Sequence, residues 1–358
     1  MIEPSRCEHN RLLQNDAADG LGRAGRAPAG CCEHRPTSPQ RQLNRYVAPV
    51  TAVIETSAGA AAASEAPRGL LGAGIAVTAW STGTILAKYL DMDALAIGTY
   101  RFFVFFIGLT FYMRARGVPF RVQIIRKSMW GGIALGADIV FFFSAVKATS
   151  VVNATTIGSL QPILVGVIAA RFFGEKIRPR DALWSLVALA GAFVVVTSAT
   201  TDDVTSLRGD LLAVGAMFSW SAYFIASKKS RSTMTSTEFT AGTSIWTAAI
   251  CLVIGLPLGQ DLSWPNASNW GWLILMIIGS GIVGHSLMNW SLQRIPLWVG
   301  STFTLFIPVA SATLAWIILG EAVTALQGIA MACVIGALAM IVRGQTKPAV
   351  KAASEAAA

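Results

Sequence analysis

Ionisable side chains are rare inside the long apolar segments of this chain, and three of them could do chemistry. Asp138, His285 and Arg101 each lie well inside such a segment. A carboxylate or an imidazole can carry a proton, and a guanidinium can hold an anionic group. An unpaired charge at the bilayer centre costs roughly 2.5–3.5 kcal/mol on insertion scales, so such groups face a wet cavity or a partner. The three residues are therefore the first candidates for a functional site.

Polar and aromatic residues in neighbouring segments extend this candidate site. Trp80 and Trp220 can wall an apolar pocket, and side-chain amides can orient a bound solute. Hydrogen bonding between helices explains the amides equally well. For Arg101, snorkelling or pairing with Asp138 is the structural alternative. The substrate-binding residues predicted from the sequence are Trp80, Arg101, Asp138, Asn153, Gln161, Trp220, His285 and Asn289.

Two prolines interrupt apolar segments at matching places. Pro162 and Pro308 each remove a backbone donor and bend a helix. In a membrane, the freed carbonyl is tolerated where a neighbour or a cavity satisfies it. Plain packing is the alternative reading, but their recurrence predicts a pair of hinge positions.

The composition predicts that membrane-spanning helices position these residues. Charged residues make up 13% of the chain and hydrophobic residues 54%, and the mean hydropathy is +0.57. A soluble chain of this size carries nearly twice that charge fraction. The net charge of +9 does not indicate nucleic acid, because the basic residues fall between apolar segments and form no basic face. We therefore expect a lipid bilayer, and not nucleic acid, as the surroundings.

Ten apolar segments are each near the length that crosses the hydrocarbon core. Their uninterrupted apolar runs do not alternate as barrel strands do, so an all-α integral membrane fold is predicted. The predicted spans are Gly69–Leu90, Ala94–Met113, Met129–Lys147, Val151–Phe173, Ala182–Ala199, Asp210–Ala226, Phe239–Gly259, Trp270–Leu292, Leu297–Leu319 and Leu326–Val342.

The segments form two copies of five. Pro308 follows Pro162 by 146 positions (308 − 162), and Gly320 follows Gly174 by the same distance (320 − 174). Each pair belongs to a Pro-containing span that ends in Gly-Glu. Five crossings return the chain to the opposite face, so the copies must be inverted relative to each other. The predicted organisation is a disordered polar leader (1–68), a first repeat (69–200), a second repeat (209–344) and a cytoplasmic tail (345–358).

Basic residues in the short loops predict the orientation. They are abundant after spans 2, 4, 6, 8 and 10, and the loops after spans 7 and 9 contain none. The positive-inside rule places the basic side, and both termini, in the cytoplasm. Glu175 and Glu321 close spans 4 and 9, and we expect each carboxylate to cap the helix that follows it, although a gating role is the alternative.

Glycines explain the remaining motifs. Gly279–Gly284 matches the pattern G-x-G-x-x-G, but no strand precedes it, so a dinucleotide site is excluded. Close helix packing explains these glycines and those at Gly132 and Gly136 better. The chain contains no P-loop motif, and no cofactor or metal is expected.

The chain resembles ten-helix members of the drug/metabolite transporter superfamily, of the EamA-like type. The resemblance rests on Trp80, Arg101-Phe102, the two Pro-to-Gly-Glu segments, and the run Gly209–Leu212 that opens the second copy. It covers about residues 69–344. The second copy departs from the pattern because Ile245-Trp246 stand where the first has Arg-Phe.

The resemblance implies facilitated or proton-coupled movement of a small metabolite, often export, through a central cavity. We therefore predict a secondary transporter of the cell (inner) membrane that moves a small organic metabolite or drug-like solute by alternating access. No enzymatic activity is predicted. The alternative is an intramembrane lipid-modifying enzyme, and a sensory or scaffolding membrane protein is a third class. Proton coupling and a homodimer stay open.

Overall fold

Helices account for the architecture of the chain, of which the computed structural model describes residues 65–198 and 206–357. In this part there are ten helices long and apolar enough to cross a membrane, and there is no strand. The prediction of an all-α, ten-helix membrane fold is confirmed. The helices are α1 (Glu65–Ala87), α2 (Ala94–Ala115), α3 (Val122–Ala148), α4 (Val151–Gly158 and Gln161–Phe172), α5 (Pro179–Thr197), α6 (Leu207–Ser230), α7 (Ser236–Gly255), α8 (Ala267–Leu292), α9 (Leu297–Leu319) and α10 (Ala325–Ala357).

The outer boundaries of the bundle differ from the predicted ones. Helix α1 is already helical at Glu65, the first described residue and four residues before the predicted first span, and residues 1–64 of the predicted leader lie outside the described residues. Helix α10 continues past the end of its predicted span to Ala357. Hydropathy detects the part of a helix that crosses lipid, and a helix can continue into water beyond it.

Helices α4 and α9 are interrupted at matching places. In α4, a turn at Ser159 and Leu160 separates two helical pieces, and Pro162 is the second residue of the second piece. In α9, a short 3₁₀ segment (Thr304–Phe306) comes before the piece in which Pro308 is again the second residue. The first turn of a helix tolerates proline because its N–H groups have no partner within the helix. The predicted interruptions are confirmed, whereas hinge motion stays a prediction.

Helix α8 contains a feature that the sequence did not predict. Its central part, Ile277–Ser286, is a π-helix, flanked by α-helical pieces at Ala267–Met276 and Leu287–Leu292. A wide i→i+5 turn changes which side chains share a face, and such segments are frequent at functional sites. Its three polar residues, Ser280, His285 and Ser286, form no regular pattern from which a change of helical period could be read.

The core lies between the two repeats. Helix α3 packs against α6 and α7, α2 packs against α7, and α5 packs against α10. Glycines allow the closest approaches: a Cβ added at Gly132 would stand 2.3 Å from the Cβ of Trp246, and one at Gly136 would stand 2.9 Å from Ile250. The predicted packing role of these glycines is confirmed. The repeats are thus joined by their most closely packed surfaces.

The inversion of the repeats is visible at the two ends of α1. The N-terminal part of α1 packs on the α8–α9 turn at Ile295, whose carbonyl accepts a hydrogen bond from Lys228. Beyond its C-terminal end, Lys88 forms an ion pair with Glu321. We name the end of the bundle that contains Lys228 and Ile295 the Lys228 end, and the end that contains Lys88 and Glu321 the Lys88 end. Glu175 lies beside Lys228, so the two equivalent Gly-Glu turns occupy opposite ends, as the five-helix repeats require.

Candidate functional site

A central cavity between the repeats brings five of the predicted site residues together. Its volume is about 420 Å³. Helices α1, α2, α3, α6 and α8 contribute its wall, and Ile307 of α9 completes it. The predicted residues that line it are Trp80, Arg101, Asp138, Trp220 and His285.

Arg101 and Asp138 place a basic and an acidic side chain on this wall without pairing to each other. Among residues 65–198 and 206–357, no ion pair or hydrogen bond joins either side chain to another residue. The guanidinium lies 5.0 Å from the centre of the Phe102 ring, and its Nε is buried with no hydrogen-bond partner. The alternative of an Arg101–Asp138 ion pair is therefore not observed. Both groups are available to a ligand of mixed charge.

Aromatic rings form the base of the cavity. The ring centres of Trp80 and Trp220 are 5.1 Å apart in an edge-to-face arrangement, and Phe224 lies 5.1 Å from Trp220. Close contact with α8 holds the Trp80 ring in place, because a Cβ added at Gly284 would stand 2.5 Å from it. The indole Nε1 of Trp80 is buried with no partner in the described part of the chain. Aromatic surface beside an unsatisfied donor suits a ligand that has both apolar and polar parts.

His285 is held by a hydrogen-bond network beneath the cavity. Its Nδ1 lies 3.3 Å from the Tyr223 hydroxyl, and the same hydroxyl accepts a hydrogen bond of 2.8 Å from the Asn289 amide. Ser227 and Thr240 hold Asn289 at 2.7 and 2.9 Å. The Tyr223 hydroxyl and the His285 Nδ1 share this hydrogen bond, and its direction depends on the tautomer of the imidazole. Asn289 therefore acts through Tyr223 and His285, one layer away from the cavity.

Tyr223 is a site residue that the sequence analysis missed. It is fully buried, and its ring stacks on Trp220 at 5.4 Å. A tyrosine in an apolar segment commonly marks the membrane interface, so its type gives no signal of a central role. Its position three residues after Trp220, on the same face of α6, was the available clue.

Two predicted residues lie elsewhere. Asn153 Nδ2 lies 3.4 Å from both Thr149 Oγ1 and Asp210 Oδ1 near the Lys88 end. Gln161, at the break in α4, accepts a hydrogen bond of 3.3 Å from Thr304, at the break in α9. Neither lines the central cavity, so interhelical bonding, the alternative reading, describes both here.

The cavity opens toward one end of the bundle. Thr84 is shared with a second cavity of about 400 Å³ that reaches Lys88, Glu321 and Gln327 at the Lys88 end. Toward the Lys228 end, a layer of fully buried side chains follows the aromatic base. This layer consists of Tyr223, Phe224, Phe239, Met288, Asn289 and Leu292. The geometry is that of a binding chamber open to one side.

No group of three or more His, Cys, Asp or Glu side chains in the described residues is arranged to hold a metal ion.

Ten membrane helices in inverted repeats, with a chamber between them that opens to one side, define the class of membrane transport proteins.

The chain belongs to the EamA-like transporter family. The family model matches twice, at residues 67–197 and at residues 207–343. The resemblance stated from the sequence is therefore confirmed.

Curated relatives of the chain are transporters by name. The aromatic amino acid exporter YddG of Ancylobacter novellus is 30% identical over 155 residues, which are 42% of this chain and 52% of that protein. The alignment thus spans about half of YddG. The threonine/homoserine exporter RhtA of Salmonella typhimurium is 24% identical over 228 residues, 61% of this chain and 73% of that protein.

A solved structure shares the fold. A crystal structure of a protein 23% identical to this chain superposes with a TM-score of 0.66, covering 76% of this chain and 97% of the other. At this identity the likeness concerns the architecture alone.

Proposed function

We propose that this protein is a secondary transporter that moves a small organic solute by alternating access. The observation that carries the proposal is the central cavity, which lies between inverted repeats and shares Thr84 with a second cavity at the Lys88 end. In such folds, rocking one repeat against the other transfers access to a central site from one side to the other. The breaks before Pro162 and Pro308 are the proposed hinges.

The chemistry of the cavity wall favours an amphoteric solute with an apolar part. Arg101 can bind a carboxylate, Asp138 can bind an ammonium group, and neither is neutralised by a partner in the described residues. The rings of Trp80 and Trp220 offer surface to an apolar or aromatic side chain. An amino acid meets all three conditions. Two relatives named as amino acid exporters support this substrate class.

The proposed direction is export from the cytoplasm across the cell membrane. Basic loop residues are concentrated at the Lys228 end, so this end and both termini belong on the cytoplasmic side. The cavity then opens to the outside, in the state that releases an exported solute. The relatives named as exporters support the direction.

We further propose that a proton gradient drives the transport. Asp138 and His285 are titratable groups on the cavity wall and come from different repeats. Proton binding at Asp138 neutralises the carboxylate that holds an ammonium group, so the proton and the substrate compete for one site. This competition makes Asp138 the proposed coupling residue, and His285 the second candidate.

Transport by purified protein in liposomes tests the function. Vesicles loaded with unlabelled phenylalanine should accumulate tritiated phenylalanine by counterflow, and unlabelled threonine should compete if the site accepts several side chains. An imposed pH difference should change the rate of net uptake. If neither amino acid exchanges, the substrate class is wrong. Conversion of a lipid into a new product would instead support the enzyme alternative. Sizing of the purified protein decides whether it is a homodimer.

A further inference from the structure

The two Gly-Glu turns have the same local structure. Gly174 and Gly320 both adopt a left-handed conformation, with φ of 63° and 69°. The N–H of Glu175 donates to the carbonyl of Ala169 at 3.1 Å, and the N–H of Glu321 donates to the carbonyl of Ala315 at 3.3 Å. Both pairs are 146 positions apart, which is the offset of the repeat. Any difference between the two glutamates therefore comes from what the rest of the bundle presents to them.

Glu175 is buried in a contact between the two repeats. Its Oε1 accepts a hydrogen bond of 2.8 Å from the N–H of Leu297, and its Oε2 accepts one of 3.2 Å from the N–H of Trp298. It thus caps the N-terminus of α9, and not that of α5 as the sequence analysis expected. The Lys228 ammonium lies 3.7 Å from it, and both side chains are only 13% exposed. The reason is spatial, since the start of α9 meets the end of α4.

Glu321 is the equivalent residue at the other end, but its environment is open. It forms an ion pair with Lys88, and both side chains are 53% exposed. Lys88 is itself the equivalent of Lys228, at the offset of 140 that also relates Trp80 to Trp220. The counterparts of Leu297 and Trp298 are positions 151 and 152, the start of α4. At this start, the Ser150 hydroxyl accepts a hydrogen bond from the N–H of Asn153.

We propose that the two Lys–Glu pairs are latches that alternate during the transport cycle. This inference rests on the proposed function. Glu175 and Lys228 form the first latch, which is closed here and holds α4, α6 and α9 together. Glu321 and Lys88 form the second latch, whose two side chains pair with each other but stay 53% exposed, so this latch is not buried here. In the opposite state, Glu321 caps the start of α4 and is buried with Lys88, while Glu175 releases α9.

The inverted symmetry supplies the physical reason. Exchanging the conformations of the two repeats converts one state into the other, so each contact of the first latch has a counterpart in the second. A carboxylate at a helix N-terminus interacts with the N–H groups and with the helix dipole. Burial with a lysine strengthens this interaction, because water screens the charges less. Closing one latch therefore favours the state in which the chamber is open at the other end.

Two symmetric pairs of spin labels measure the state of each end. Lys176 and Lys229 are exposed beside the first latch, and their counterparts Ala322 and Tyr89 are exposed beside the second. In a chain whose five cysteines are replaced by alanine, each pair is changed to cysteine, labelled with a nitroxide and measured by pulsed electron resonance in liposomes. The variants Glu175→Gln and Glu321→Gln remove one charge each, and Asp261→Asn, in an exposed loop, is the matched control.

Glu175→Gln should raise the population that is open at the Lys228 end by at least about fivefold, the lower range of measured coupling between sites. The same variant should shorten the Tyr89–Ala322 distances in the same fraction of molecules. Glu321→Gln should change both distances in the opposite direction. Asp261→Asn should change neither.

The proposal is overturned if Glu175→Gln and Glu175→Ala both leave the two distance distributions unchanged. An increase of the distances at both ends would also contradict the proposal, because it would indicate a general loss of packing and not an alternation of the two latches. Circular dichroism and elution volume verify that each variant is folded. The distances are measured without substrate, so a reciprocal change with no amino acid transport would uphold the latches and reject only the proposed substrate.

Discussion

Helices α3 and α8 are equivalent in the two repeats, and their central residues differ in a way that separates binding from positioning. Helix α3 is α-helical throughout and places Asp138 on the cavity wall without a hydrogen-bond partner in the described residues. Helix α8 is π-helical in its centre and places His285 on the same cavity, bonded to Tyr223. The first repeat thus offers a carboxyl group with no described partner, and the second offers an imidazole fixed by a hydrogen bond.

This difference indicates how a duplicated fold can acquire an asymmetric site. A π-helical segment rotates the residues that follow it relative to an α-helix. At the repeat offset of 146, Gly284 is the counterpart of Asp138, and Gly284 packs against Trp80 while His285 reaches the cavity. One repeat can therefore contribute chemistry where the other contributes close packing.

The largest effects are expected from substitutions of Asp138 in α3 and His285 in α8. Asp138→Asn should weaken the apparent affinity for phenylalanine by about 10- to 100-fold, because a hydrogen bond to a charged group contributes about 1.5–3 kcal/mol. It should also abolish the response of uptake to an imposed pH difference. His285→Gln should cost about 2- to 10-fold, as for a neutral hydrogen bond. Counterflow in liposomes measures both, with Asp261→Asn as the control. Equal losses would reject the division of roles.

The role of Arg101 in the first repeat is tested by two substitutions. Arg101→Gln should raise the apparent KM by about tenfold or more, because a carboxylate loses its charged partner. Arg101→Lys should recover part of this loss, since it keeps the charge but not the two-pronged geometry. Arg126→Gln, at an exposed position, should have no effect. The amine analogue, which lacks the carboxylate, tests whether Arg101 binds that group. If Arg101→Gln weakens the binding of the amine as much as that of the amino acid, the assignment of Arg101 to the carboxylate is wrong.

Packing in the second repeat is tested at Gly284. Gly284→Ala places a Cβ against the Trp80 ring and should destabilise the protein by about 1–3 kcal/mol, as overpacking does. Gly271→Ala is the matched control in the same helix, because open space surrounds that position, and it should leave stability unchanged or raise it by about 0.5–1 kcal/mol. Thermal unfolding in detergent compares the two. Equal stability of both variants would contradict the close contact with Trp80.

The smallest effect on transport is expected for the support of His285. Tyr223→Phe removes the hydroxyl that joins Asn289 to the imidazole and should destabilise the protein by about 1–3 kcal/mol, the cost of a buried unsatisfied group. Transport should fall by only about 2- to 5-fold, within the range of one neutral hydrogen bond. Tyr112→Phe, at an exposed position, is the control. A loss as large as that of Asp138→Asn would show that Tyr223 itself contacts the solute.

The sequence predicts most of the fold because each deciding signal is local. Span lengths follow from hydropathy, and the interruptions of α4 and α9 follow from Pro162 and Pro308. Asp138 and His285 lie at similar depth in equivalent spans, and the sequence therefore predicts that they meet in one cavity. The family match at residues 67–197 and 207–343 agrees with the duplication.

What the sequence misses depends on long-range geometry. The π-helical segment of α8 is not predictable because its few polar residues, Ser280, His285 and Ser286, follow no regular period. The expected cap of α5 by Glu175 was wrong, because the partner of that carboxylate is set by how the repeats meet. Asn153 and Gln161 share the polarity of the cavity residues, but they bond to neighbouring helices, and composition cannot distinguish the two cases.

The hydrogen bond between Gln161 and Thr304 joins the two helix breaks at a single crossing point. Because each break belongs to a different repeat, a substitution on one side changes the fit on the other. We therefore expect these two positions to covary, so that aligned relatives differ at both positions or at neither. Grafting a single repeat from a distant relative should accordingly fail more often than grafting both, unless this pair of residues is transferred as well.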